Sequence, residues 1–225
     1  MKRQALRARG GAATFALVRA ETIVWGRSAD GWLVTLLAAA TAALSCAWLG
    51  KLPVDLGRLY PFAVGAAGAL AAMVASMRTI PREGTLAATW LAAPLFGREL
   101  ARAKVLAAAI RALPVVLAAY GAALFELRPT AGEAAGLLFV GLAVAAICIP
   151  LALVWDLRVP PAWSPLAAVV CALVAALLGA AANLAAPLAV PASVGVTAVL
   201  LYAALRQLGE QLAAFELSPS LTRRP

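Results

Sequence analysis

Long apolar stretches alternate with short polar ones along almost the whole chain. A helix that crosses the hydrocarbon core of a membrane needs about 20 apolar residues. Six stretches of about that length recur between residues 31 and 209. The pattern therefore predicts an all-α membrane domain over 31–209, flanked by an N-terminal segment 1–30 and a polar tail 210–225. Its six transmembrane helices are expected at about 31–50, 61–77, 105–125, 135–155, 166–187 and 192–209.

The first 30 residues mix cations with apolar side chains. A cleaved signal peptide has an unbroken apolar core after its basic start. Here Arg19 and Glu21 interrupt that core. We therefore expect an amphipathic helix on the inner membrane face, with its cations among lipid headgroups and Trp25 at the interface.

Small residues in the second apolar stretch and prolines before the sixth predict two further local features. Gly65, Gly68 and many alanines give the second stretch a smooth surface, and such surfaces let membrane helices approach closely. Pro187 and Pro191 mark a turn before the sixth stretch. That uncharged turn fits either a tight outer connection or a re-entrant dip, which is tolerated only where protein or water covers the backbone.

Composition excludes several classes of protein. Of the 225 residues, 64% are hydrophobic and only 13% are charged. Soluble domains carry about 25% charged residues, so this chain lacks the polar surface of an ordinary cytosolic enzyme. Its apolar content also excludes a disordered chain. The three cysteines lie singly in apolar stretches, as small core residues do.

The net charge of +9 is distributed unevenly between the predicted loops. Fifteen lysines and arginines fall on the side of the two termini, and three fall on the other side. Because such cations mark the cytoplasmic side of membrane proteins, the charge argues for membrane orientation and against nucleic acid binding. We expect both termini and residues 78–104 to be cytoplasmic, in a plasma membrane of the bacterial inner-membrane type.

The residue types needed for catalysis are scarce. The chain has no histidine, which removes the commonest general base and metal ligand. No aspartate or glutamate lies clearly within a predicted span, and no GxxxxGK phosphate loop is present. We therefore expect no catalytic residue, no metal site, no directly bound cofactor and no enzyme activity in this chain itself.

Two polar residues within the predicted spans are candidates for a substrate path. Arg111 lies two turns inside the third span, where a charge is costly unless it faces protein or water. It either snorkels to the surface, pairs with another group or faces the path. Asn183 falls in the predicted fifth span and either bonds a neighbouring helix or contacts substrate.

Residues 78–104 form the longest polar interruption between spans. Pro81, Glu83 and Thr85 suit the start of a helix. Leu86, Trp90 and Leu91 then fall on one helical face, and Pro94 bends or ends the helix. This pattern predicts a short amphipathic helix on the cytoplasmic surface. Periodicity alone leaves open whether the helix anchors to the membrane or meets a partner.

The residues of this segment, REGTLAATWLAAPLFGRELARAK, resemble the cytoplasmic signature of the type-2 ABC exporter permeases. That signature has an acidic residue before Gly-Thr-Leu, a short apolar helix, a proline, and a lysine about ten residues later. Ala87 stands where the family usually has a second acidic residue. The matching positions are Glu83, Gly84, Thr85, Leu86, Pro94 and Lys104.

The resemblance implies a permease subunit that works as a dimer, identical or mixed, and is driven by a separate cytoplasmic ATPase. ATP and magnesium would then be held by that partner, and the expected direction of transport is export. Residues 83–93 would be the coupling helix that receives the ATPase. The implied contact residues are Arg82, Glu83, Gly84, Thr85, Leu86, Trp90, Leu91, Pro94, Arg98 and Lys104.

Two other transport functions remain open at this stage, beside an intramembrane enzyme, which would need paired carboxylates or an activated nucleophile in the spans. The chain is similar in size and span count to the haem-exporter membrane subunit of cytochrome c maturation, and it shares an Ala103-Lys104-Val105 start to the third span. The lack of histidine argues against that family. A stand-alone secondary carrier is the other alternative, and such carriers usually show two related halves. No convincing internal repeat is visible here.

Overall fold

The computed structural model describes residues 14–23, 25–51, 57–76, 97–158, 164–183 and 186–216. Within these ranges every regular element is a helix, which confirms the all-α fold class. A short 3-10 helix, Gly57–Leu59, leads into the third α-helix. The α-helices are α1 (residues 14–23), α2 (Ala29–Leu49), α3 (Tyr60–Ser76), α4 (Gly97–Leu127), α5 (Ala131–Arg158), α6 (Ser164–Ala182) and α7 (Ala186–Glu216).

Four of these helices contain a segment long and apolar enough to cross a membrane. These segments are Ala29–Leu49, Arg102–Leu127, Ala131–Val154 and Val190–Leu208. Two shorter apolar helices, Tyr60–Ser76 and Ala168–Ala182, complete the bundle. The set fits a membrane protein, and each helix covers most of one of the six apolar stretches found in the sequence.

Helix α3 lies at the centre and contacts α2, α4, α5 and α6. Its glycines permit this close packing. A Cβ atom added to Gly68 would lie 2.5 Å from the carbonyl oxygen of Gly141 in α5. A Cβ added to Gly179 in α6 would lie 2.7 Å from the ring of Phe62. At Gly68 the backbones of α3 and α5 therefore meet at a distance that no larger residue allows, as the smooth surface predicted for α3 requires.

The bundle is more buried at α5 than at α2 and α7. In the membrane-length segment of α5, 72% of the residues are buried, against 22% in α2 and 11% in α7. Large apolar side chains instead cover the outer surfaces of α2 and α7. In water such a surface would be unfavourable, whereas lipid chains solvate it. These exposed side chains include Leu33, Leu36, Leu37, Leu44, Val190, Val199 and Tyr202.

Several helix boundaries differ from those expected. Helix α4 begins at Gly97, eight residues before the expected third span, so the basic residues that precede the span belong to the same helix. Helix α5 begins at Ala131 behind a Thr130–Glu133 capping box, in which Thr130 N and Oγ1 donate to Glu133 Oε2 at 2.8 and 2.9 Å. The polar connection is therefore shorter than the sequence suggested.

The turn predicted at Pro187 and Pro191 is wrong. Helix α6 ends at Ala182 and α7 begins at Ala186, so both prolines lie inside α7. Pro187 occupies the first turn, where its missing N–H has no helical partner to lose. An apolar segment without water must pair its remaining backbone groups internally, which favours helix through Pro191. The same helix continues to Glu216, past the predicted limit at residue 209.

Candidate functional site

Helix α1 turns one face towards the protein. Leu17 and Val18 are buried, and they form a small apolar cluster with Ala103 and Ala107 of α4. Glu21, one turn further along α1, is on the same face and only 8% exposed. The small alanines of α4 let α1 approach closely enough to bring this carboxylate against α4.

Glu21 makes two ion pairs with α4. Its Oε1 lies 2.7 Å from Lys104 Nζ, and its Oε2 lies 2.8 Å from Arg111 Nη2. Both cations belong to one face of α4, since seven residues are two helical turns. All three residues are less than 9% exposed. Each carboxylate oxygen therefore contacts a different cation in a buried site, which we call the ion triad.

Arg111 also connects the ion triad to the central helix. Its Nη1 donates to the carbonyl oxygen of Ala75 at 3.5 Å, close to the end of α3. Backbone carbonyls in the last turn of a helix have no partner within that helix, so they accept from such a donor. The ion triad thus joins α1, the end of α3 and the first half of α4. These last two helices flank residues 77–96 in the chain.

The junction between α1 and α2 is held by aromatic and capping contacts. Ser28 caps α2 and accepts from Gly31 N at 3.3 Å. The rings of Trp25 and Trp32 lie with centroids 4.6 Å apart, and Trp32 Nε1 donates to Gly26 O at 3.1 Å. The C-terminal half of α1 is therefore held in place by this junction and by the ion triad.

Most of the residues expected to meet an ATPase lie outside the described residues. Arg98 belongs to the first turn of α4. Lys104 lies in the ion triad, where its ammonium contacts Glu21 within this chain. The residues outside the described ranges are Arg82, Glu83, Gly84, Thr85, Leu86, Trp90, Leu91 and Pro94.

The two candidates for a substrate path have different positions. Arg111 is paired with Glu21, which is one of the arrangements that the sequence left open. Asn183 lies in the turn after α6, so its expected position within a span extending to 187 is wrong. Its Nδ2 donates to Gly179 O at 2.9 Å and to Arg58 O at 3.0 Å. It connects the end of α6 to the 3-10 helix Gly57–Leu59.

Sequence reasoning did not identify Glu21 as part of a site. It treated this residue only as an interruption of an apolar stretch. The available signal was the Lys104–Arg111 spacing, which places two cations on one face of a largely apolar helix and so requires an acidic partner. Which carboxylate supplies it is not encoded locally, because Glu21 and Arg111 are 90 residues apart.

The three cysteines of the described residues lie in the core. Cys46, Cys148 and Cys171 are free and buried, as expected of small core residues. Within the described ranges no three His, Cys, Asp or Glu side chains come together as a metal site would require. No family model, curated protein or solved structure matches this chain.

Proposed function

We propose that this chain is the membrane permease subunit of an ATP-driven exporter of the type-2 ABC kind. In this proposal six helices, α2 to α7, cross a bacterial-type inner membrane with both termini in the cytoplasm. Two permease subunits form the substrate path between them. A separate ATPase binds ATP and magnesium and docks on residues 83–93.

The ion triad is the observation that carries the proposal. A docking segment transmits force only if the helices at its two ends move together. Here Arg111 contacts Ala75 in the last turn of α3 and Glu21 of α1. Since residues 77–96 leave from α3 and return into α4, a displacement of that segment would move α1, α3 and α4 as one body. Buried ion pairs suit this role because separating them exposes unpaired charges.

The charge distribution supports the proposed orientation. Arg19, Arg27 and Arg102 belong, like the ion triad, to the end of the bundle at which α1 meets α2 and α4. Lys51 and Arg128 are exposed at the opposite ends of α2 and α4. They are two of the three cations that the sequence predicts on the less basic side of the membrane. This asymmetry follows the positive-inside rule.

The test is co-purification with a candidate ABC ATPase from the same genome. Both proteins are expressed together, solubilised in mild detergent and separated by gel filtration. We expect one complex, with ATP hydrolysis that depends on the permease. Trp90→Ala and Glu83→Ala should each weaken the complex, because they remove the central apolar contact and the acidic contact of the implied docking helix.

Lys51→Ala is the matched control, since it removes an exposed charge at the opposite end of α2. It should leave the complex intact. A permease that elutes alone, folded and in every condition tested, would contradict the proposal and favour a stand-alone carrier. Equal weakening by Lys51→Ala would show that the effect is not local to residues 83–93.

A further inference from the structure

The outer face of α1 carries a stripe of alternating apolar and cationic side chains that the described part of the protein leaves exposed. Phe15, Arg19 and Ile23 are spaced four residues apart, so they lie along one side of α1, and Arg27 follows in the adjoining turn, where its N donates to Ile23 O at 3.1 Å. All four are exposed, Phe15 at 70% and Ile23 at 44%. This outer stripe is opposite the face that buries Leu17, Val18 and Glu21.

We propose that the outer stripe binds the headgroups of anionic phospholipids. The two arginines, eight residues apart, would contact phosphates about 12 Å from each other along the helix axis. The two apolar side chains would enter the boundary between headgroups and acyl chains. Cations interleaved with large apolar residues are the combination by which interfacial helices bind an anionic surface.

The position of the outer stripe supports lipid as its occupant. Helix α1 ends at the junction with α2, whose first turns expose Trp32 at 43% and Leu33 at 59%. An apolar surface of this kind begins where the hydrocarbon core begins, and tryptophan favours that boundary. The outer stripe therefore lies beside the level at which headgroups are found.

The consequence is a lipid-dependent anchoring of the ion triad. The inner face of α1 holds Glu21 against Lys104 and Arg111, while the outer stripe is expected to hold the membrane surface. Anionic lipid should therefore stabilise the folded protein. This inference requires a membrane protein but not the proposed ATPase, so each can fail without the other.

The experiment titrates the full-chain protein in neutral detergent with short-chain phosphatidylglycerol and follows its unfolding temperature. Short-chain phosphatidylcholine serves as the neutral probe. We expect phosphatidylglycerol alone to raise the unfolding temperature in a saturable way that added salt weakens. Arg19→Gln/Arg27→Gln should raise the half-saturating concentration roughly tenfold or more, since each cation near an anionic surface contributes severalfold to binding.

Lys51→Gln/Arg128→Gln is the matched control, because it removes two exposed cations at the other end of the bundle. It should retain the wild-type half-saturating concentration. Arg19→Lys/Arg27→Lys keeps the charge and should also retain it, which separates loss of binding from loss of folding. The proposal is overturned if phosphatidylcholine stabilises equally, or if the control weakens binding as much. A fall of the purified mass to half in the Arg19→Gln/Arg27→Gln variant would overturn it too, in favour of a contact between two copies.

Discussion

A single carboxylate, Glu21, makes both of the ion pairs that join α1 to α4. It is buried, and its two oxygens contact Lys104 and Arg111 at 2.7 and 2.8 Å. Charge-assisted contacts of this length are strong when water is excluded. A buried ionic group is costly to isolate, so removing one member affects the others.

We predict that Glu21→Gln lowers the free energy of unfolding by about 3 kcal/mol, since it removes the carboxylate that both buried cations contact. The measurement is reversible unfolding in mixed detergent micelles. Glu21→Gln/Arg111→Met should recover part of the loss, because it removes one of the two cations as well. Such recovery distinguishes an electrostatic role from a purely steric one.

The matched control at this scale is Glu210→Gln. Glu210 pairs with Arg206 at the same 2.8 Å, but both side chains are more than 60% exposed. Exposed pairs contribute little to stability, so the control should unfold like the wild type. A Glu21→Gln variant as stable as this control would show that the ion triad does not hold α1 in place.

At the scale of helices, the central position of α3 depends on backbone contact with α5. A Cβ at Gly68 would lie 2.5 Å from the carbonyl oxygen of Gly141 and 3.2 Å from Val144 Cβ. Neither neighbour is the flexible end of a side chain, so the helices themselves would have to separate. The tight crossing is therefore a property of the pair and not of α3 alone.

We predict that Gly68→Ala destabilises the protein by about 2 kcal/mol through this overpacking. Gly136→Ala in α5 is the control, since its added Cβ has no heavy atom within 4 Å. It should be neutral or slightly stabilising, because alanine favours helix over glycine. Thermal unfolding in detergent compares the two. Equal stability of the variants would mean that α3 and α5 are free to shift apart.

At the scale of the whole molecule, the open question is which end of the bundle faces the cytoplasm. The three native cysteines are buried to 1% exposure or less, so they provide a nearly silent background for labelling. Single cysteines can then be introduced at exposed positions at the two ends. Arg19 represents the end with α1, and Lys51 and Arg128 represent the other.

We predict that a membrane-impermeant maleimide labels Lys51→Cys and Arg128→Cys in intact cells, and labels Arg19→Cys only in inverted vesicles. The physical reason is the cation asymmetry, which keeps the more basic loops in the cytoplasm. Gel shift of the labelled protein is a sufficient measurement. Labelling of Arg19→Cys from outside would reverse the proposed orientation and remove access of a cytoplasmic ATPase to residues 83–93.

The sequence by itself determined the all-α class, the approximate place of each apolar helix, and the burial of the three cysteines. It could do so because a hydrophobic run is a local property, and helix is the conformation that satisfies every backbone group within one apolar segment. The same reasoning identified Gly65 and Gly68 as residues of a closely packed surface, which the contact of Gly68 with Gly141 confirms.

Only the tertiary structure decided which groups meet. Glu21 and Arg111 are 90 residues apart, and neither sequence neighbourhood specifies the other. The same holds for the division of α1 into an inner face and an outer stripe, since its apolar residues are spread around the helix and burial against α4 selects among them. The turn after Ala182 was mislocated for a related reason: a proline interrupts a helix in water, but in a packed apolar bundle the remaining backbone bonds maintain the helix through it.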